Sequence, residues 1–131
     1  MDNINTLDNK NDYIFDIDEH SFQKKIIEAS KSNIILVDFW APWCEPCKQL
    51  SPVLENIVND CEGRIHLAKI NIDENQQIAA QLRIQSIPIV YAFKNKQIAD
   101  AFQGVLPQKK IIEFIEKVLG EKIKKNNTVF Y

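Results

Sequence analysis

The apolar positions of this chain change period several times, and each change marks an element. Tyr13–Ile17 is a short strand candidate. Asp18 then has the side chain of a helix N-cap, and Phe22, Ile26, Ile27 and Ala29 recur at helical spacing to about Lys31. Ile34–Trp40 is a nearly continuous apolar run of the β type, as in a strand covered on both faces. From Pro46 to Asp60 the apolar residues Leu50, Val53, Leu54, Ile57 and Val58 fall on one side of a helix. Pro52 should kink that helix and Gly63 should stop it. Ile65–Asn71 reads as a strand, Asn75–Leu82 as a short helix, and Ile89–Phe93 and Gln97–Phe102 as two strands joined at Lys94-Asn95-Lys96. Pro107 fits the first turn of a last helix, with Ile111, Ile112, Phe114, Ile115, Val118 and Leu119 as its apolar face and Gly120 as its end. The order β-α-β-α-β-α-β-β-α predicts an α/β sheet with a hairpin appended.

Length and composition narrow the class. A chain of 131 residues suits one domain with a real core. The expected division is a flexible lead-in over residues 1–12, one domain over 13–120 and a polar tail over 121–131. The net charge of −2 gives no basic surface for nucleic acid. Six acids against Lys10 in residues 1–19, and six lysines with three glutamates from Lys109 to Lys125, read as solvated segments. No run reaches the ~18–20 apolar residues that cross a bilayer. The first residues, Met-Asp-Asn-Ile-Asn-Thr, have neither a basic region nor an apolar one, so the expected location is the cytoplasm. Structural disulfides are rare there, and three cysteines are an odd number for a disulfide framework.

The thiols therefore call for chemistry. Trp43-Cys44-Glu45-Pro46-Cys47-Lys48 follows the buried strand and opens a helix. A thiol at a helix N-terminus faces the positive end of the macrodipole and free N–H groups, which favour its thiolate. The two-residue spacing lets the sulfurs meet within one turn, and Pro46 sacrifices no hydrogen bond in the first turn. Half a zinc site is the competing reading. Its further ligands would come from Cys61, His20 and His66, with no second CxxC and no HxxxH pair, so no metal is expected. Burial as two inert thiols fits poorly with a strand-to-helix junction beside an exposed tryptophan. Asp38 interrupts the apolar strand, and burial of a lone carboxylate raises its pKa. A raised carboxyl near a dithiol can accept a proton from the second cysteine. Lys69, in a second buried-looking strand, needs a partner, and Asp38 is the obvious one. Pro88, in Ile87-Pro88-Ile89, marks a strand start.

These residues resemble the thioredoxin family. Asp38-Phe39-Trp40-Ala41-Pro42-Trp43-Cys44-Glu45-Pro46-Cys47-Lys48, then Pro52, Lys69-Ile70-Asn71-Ile72-Asp73, Ser86-Ile87-Pro88 and Gly104 stand in its order and at its spacing, over roughly residues 13–119. The resemblance implies a central mixed five-stranded sheet flanked by four helices. It implies that Cys44 is the attacking thiolate and Cys47 the resolving thiol, that Asp38 near Lys69 is the buried proton acceptor, and that Pro88 is cis beside the dithiol. It further implies that Trp43, Ile72, Ile87, Gly104 and Val105 hold an extended substrate. The implied activity is reduction of protein disulfides without a cofactor, with re-reduction by a flavin- and NADPH-dependent thioredoxin reductase; the chain itself has no GxGxxG. Glu45, Ile89 and Lys96 depart from the family's usual Gly, Thr and Gly. Glu45, with Pro46, is expected to tune the redox poise.

A closer resemblance runs through residues 71–82, Gln85-Ser86-Ile87-Pro88 and Phe102-Gln103-Gly104, to the thioredoxin domain of the chaperedoxins. Those proteins fuse the domain to tetratricopeptide repeats, protect unfolding clients and pass them to the chaperonin. Eleven residues follow Gly120, whereas one such repeat needs ~34. The chain is then either a short thioredoxin or a fragment, and the alternative function is a client-binding holdase in which redox turnover is secondary.

Overall fold

A computed structural model describes residues 12–123. Five strands form one mixed sheet: β1 (Ile14–Asp16), β2 (Ile34–Trp40), β3 (Ile65–Asn71), β4 (Ile89–Lys94) and β5 (Gln97–Gln103). Their spatial order is β1-β3-β2-β4-β5, with β1, β3 and β2 parallel and β4 and β5 antiparallel. The α-helices are α1 (Glu45–Asp60), α2 (Gln76–Gln81) and α3 (Gln108–Leu119). A fourth helical segment spans residues 19–31. It is wound as a 3-10 turn (Glu19–Ser21), a π-helical stretch (Gln23–Glu28) and a second 3-10 turn (Ala29–Lys31). The apolar spacing foretells that segment and its Asp18 cap, whose carboxylate accepts from the Ser21 amide at 3.1 Å, but not its winding.

β2 is the central strand, which explains its unbroken apolar run. Alternate residues feed two cores. Leu36 joins Leu50, Leu54, Ile57, Leu67, Ile111 and Ile115 under α1 and α3. Ile35, Val37 and Phe39 join Phe22, Ile26, Ala68 and Ile70 on the other face. Burying each such side chain stabilises the fold by about 1.5–3 kcal/mol. Asp38, on the α1 face, lies in register with Lys69 of β3 and Val90 of β4.

The ends of elements are set by local chemistry. α1 continues through Pro52 and stops at Asp60. Glu62 (φ 53°) and Gly63 (φ 95°) then reverse the chain, and a Cβ at Gly63 would lie 3.2 Å from the Tyr13 ring. The β4–β5 turn places Asn95 (φ 55°) and Lys96 (φ 70°) both in the left-handed region, as a type I′ hairpin turn requires. Ser30 holds this turn: its carbonyl accepts from the Asn95 amide and its hydroxyl from the Lys96 amide, both at 2.8 Å. The expected lead-in lies outside the described residues apart from Asp12, as do residues 124–131 of the expected tail. Ile123 is buried in the α1/α3 core, so packed structure runs past residue 120.

Candidate active site

Cys44 is the N-cap of α1, in an extended conformation (φ −92°, ψ 103°), and Cys47 completes the first turn. The two are joined as a disulfide with their Cα atoms 5.3 Å apart. The Cys47 amide also points at Cys44 Sγ, 3.2 Å away. When the bond opens, that donor favours a thiolate on Cys44 in addition to the helix dipole. Both thiols are buried, although a strand-to-helix junction is a poor place for burial: Cys44 is 4% and Cys47 3% exposed. The two cysteines and Ala41 form one buried cluster, against which Trp40, Ile72 and Ile87 pack. The asymmetry lies in their position on the helix and in the groups around them.

Outside the dithiol is an apolar ledge. Trp43 is 65% exposed, and its indole N–H donates to Asp73, 3.1 Å from Oδ2. Trp43, Ile72, Ile84, Gln85, Ser86 and Ile87 line a groove of about 270 Å³. The Ile87–Pro88 bond is cis. The Gly104 amide donates to the Pro88 carbonyl at 2.8 Å, and Gln103 hydrogen-bonds Ser86. Together these contacts bring the 86–88 loop beside the turn after β5, where Val105 is 44% exposed. Glu45 points to solvent and pairs with Lys48 at 3.2 Å.

Behind the dithiol lies a pocket of about 150 Å³, lined by Asp38, Trp40, Cys47, Lys48, Ser51 and Lys69. Asp38 is 1% exposed, and its Oδ1 makes no hydrogen bond among the described residues. Burial pushes its carboxyl up to about 7, against an opposing pull from the charge of Lys69 and a smaller push from Glu55. The pairing of Lys69 with Asp38 expected from the sequence does not form. Lys69 Nζ lies 2.8 Å from Glu55 Oε2, with the Trp40 ring centroid 6.0 Å away. The physical reason is desolvation: a lysine stem long enough to reach the half-exposed Glu55 avoids sinking two charges beside Asp38. The Ser51 hydroxyl donates to the same Glu55 oxygen at 2.9 Å.

Sequence reasoning missed Ser51 and Glu55. The signal was present, because Cys47, Ser51 and Glu55 are four residues apart and so share one face of α1. It also missed that Asp73 anchors Trp43. Cys61, the free cysteine, is fully buried in the α1/α3 core, and burial raises its thiol to about 11. Among the described residues no group of three or more His, Cys, Asp or Glu is placed to hold a metal ion. None of their helices is long and apolar enough to cross a membrane.

The family profile described as Thioredoxin matches residues 13–117. The chain is 41% identical over 106 residues to "Thioredoxin" of Chlorobaculum thiosulfatiphilum, covering 81% of this chain and 96% of that protein. It is 38% identical over 103 residues to "Thioredoxin 1" of a Nostoc species, covering 79% and 94%. It is 43% identical over 108 residues to "Probable thioredoxin-2" of Caenorhabditis elegans, covering 82% and 73%.

Proposed function

The chain belongs to the thioredoxin family of thiol–disulfide oxidoreductases, and from that premise we propose the residue roles by which it reduces protein disulfides. The Cys44 thiolate attacks one sulfur of a client disulfide, and the other client sulfur leaves as a thiolate. The Cys47 thiol gives its proton to Asp38 and attacks Cys44 Sγ. The Cys44–client bond breaks, the second client sulfur leaves and takes up a proton, and Cys44–Cys47 closes. The client gains two electrons and the protein loses two, all carried on sulfur. Trp43, Ile72, Ile87, Gly104 and Val105 hold the client's backbone and apolar side chains beside Cys44. Pro88 shapes the loop that presents Ile87.

The observation that carries these roles is that Asp38 and Cys47 face one small cavity, while the apolar groove lies outside the dithiol. A carboxyl titrating near 7 is matched to a general base at neutral pH. Lys69 influences Asp38 by its charge and pairs with Glu55. The working form is the reduced dithiol, so the proposal includes a reducing compartment, the cytoplasm, and an NADPH-dependent thioredoxin reductase as electron source. Residues 13–120 form the functional domain, with Ile123 packed on it.

The finer likeness to chaperedoxins supports a second reading, capture of unfolding clients on the exposed Trp43 and Val105 surface and their transfer to the chaperonin. Insulin reduction with thioredoxin reductase and NADPH separates the two. Catalytic turnover abolished by Cys44→Ser is expected; protection of an unfolding client with no turnover would favour the holdase.

A further inference from the structure

Cys47, Ser51 and Glu55 form a stripe along α1 that ends at Lys69. Lys69 and Asp38 are neighbours in register on β3 and β2, so their backbones are about 4.8 Å apart. A lysine starting there would ordinarily turn its ammonium to the nearest carboxylate, yet this one is aimed at the helix. Ser51 donates to the oxygen that receives Lys69, which fixes the Glu55 carboxylate at that place. The Trp40 ring flanks the ammonium from the other side. Among the described residues, the charged groups around Asp38 come from three elements. Lys69 comes from β3, Glu55 and Lys48 come from α1, Asp16 of β1 lies in register beyond Lys69, and β4 presents the apolar Val90.

We infer that Glu55, steadied by Ser51, is a positioning residue that holds Lys69 off Asp38 and so keeps Asp38 a proton acceptor for Cys47. An opposite charge brought within ~4–6 Å lowers a carboxyl by about 1–3 pKa units. Such a contact would cancel much of the rise that burial produces and leave a weaker base permanently ionised at neutral pH. Glu55 itself never touches the sulfurs. It works through the lysine, at the cost of one ion pair that is partly exposed on both sides.

The inference rests on the role proposed for Asp38, and its test reads Asp38 directly. Aspartate carboxyl carbons are labelled with ¹³C and titrated by NMR in the full chain, with the Asp38→Asn spectrum identifying the signal. Glu55→Gln should lower the Asp38 midpoint by about half to one pH unit and move the acid limb of insulin reduction down with it. Glu55→Asp should restore most of the original midpoint. In a Lys69→Met background the same Glu55→Gln change should shift the midpoint by less than half as much, because no ammonium remains to be released. An unmoved midpoint in Glu55→Gln, in protein whose circular dichroism is native, overturns the inference. An equal shift with and without Lys69 also overturns it, since Glu55 would then act by its own charge. Failure of the Asp38 role is a separate result: Asp38→Asn would leave the pH–rate profile unchanged whatever Glu55 does to the titration.

Discussion

The two sides of the dithiol differ in the side chains they present. Outside Cys44 the surface is apolar, open and held by backbone contacts: an exposed tryptophan, isoleucines and a loop tied to the Gly104 turn. Behind Cys47 the space is smaller and charged side chains border it, with Asp38 buried and Lys69 drawn off to Glu55. Two cysteines of almost equal burial thus sit in unlike surroundings. Under the proposed roles the first surface receives the client chain and the second cavity takes the proton of Cys47. The division of labour between the thiols is read from their neighbours.

The most damaging way to probe that division is to remove each sulfur in turn. Cys44→Ser should abolish turnover and trap nothing. Cys47→Ser should accumulate clients as mixed disulfides on Cys44, and mass spectrometry that finds adducts on Cys47 in the Cys44 variant would reverse the roles.

The next test removes the charge behind Cys47. Asp38 keeps its proton to about pH 7 when folded, against an ordinary aspartate value of 3.8. The native state therefore binds the extra proton between those values, and stability falls as pH rises from about 4 to about 7. A shift of about three units at ~1.4 kcal/mol each puts the Asp38→Asn gain at roughly 2–4 kcal/mol at pH 8 and far less at pH 4. Denaturant melts at both values check this. The same variant should slow resolution about tenfold or more at neutral pH; an unchanged pH–rate profile would remove Asp38 from the mechanism.

A smaller effect is expected on the outer side. Trp43→Ala deletes exposed client surface, so KM for insulin should rise about five- to tenfold. Reduction of a small aromatic disulfide should be nearly unaffected. Equal losses on both substrates would mean that Trp43 supports the dithiol rather than the client.

The smallest effect belongs to Glu45. Its charge disfavours the Cys44 thiolate and hence the reduced form, which makes the protein slightly more reducing. Because Lys48 pairs with it in solvent, Glu45→Gly should raise the potential by only about 5–10 mV, from ~0.3 kcal/mol at ~30 mV per 1.4 kcal/mol. Glutathione titration at low and high salt measures it, and a fall in potential would contradict charge repulsion.

Local pattern carried much of the fold. The strands Ile34–Trp40 and Ile65–Asn71 have in the structure the limits their apolar runs predict. The winding of residues 19–31 was illegible because apolar spacing reports which face is buried and says little about hydrogen-bond step. At the site, Asp38 was conspicuous as a charge in an apolar strand. The partner of Lys69 was not, since nearest-neighbour reasoning across strands ignores a helix passing above. Thiol exposure was misjudged because the covering side chains, Ile72 and Ile87, come from distant loops.

The Ser30 clasp on the β4–β5 turn has a consequence for how the molecule breathes. Beside it, Lys94 Nζ reaches the Val118 carbonyl of α3 at 2.8 Å, so the hairpin end is tied to helices on both faces of the sheet. Surface hairpin amides ordinarily exchange with solvent through local fraying. Here the Asn95 and Lys96 amides are both held by Ser30, so hydrogen exchange should find them slower than the amides of an unclasped hairpin.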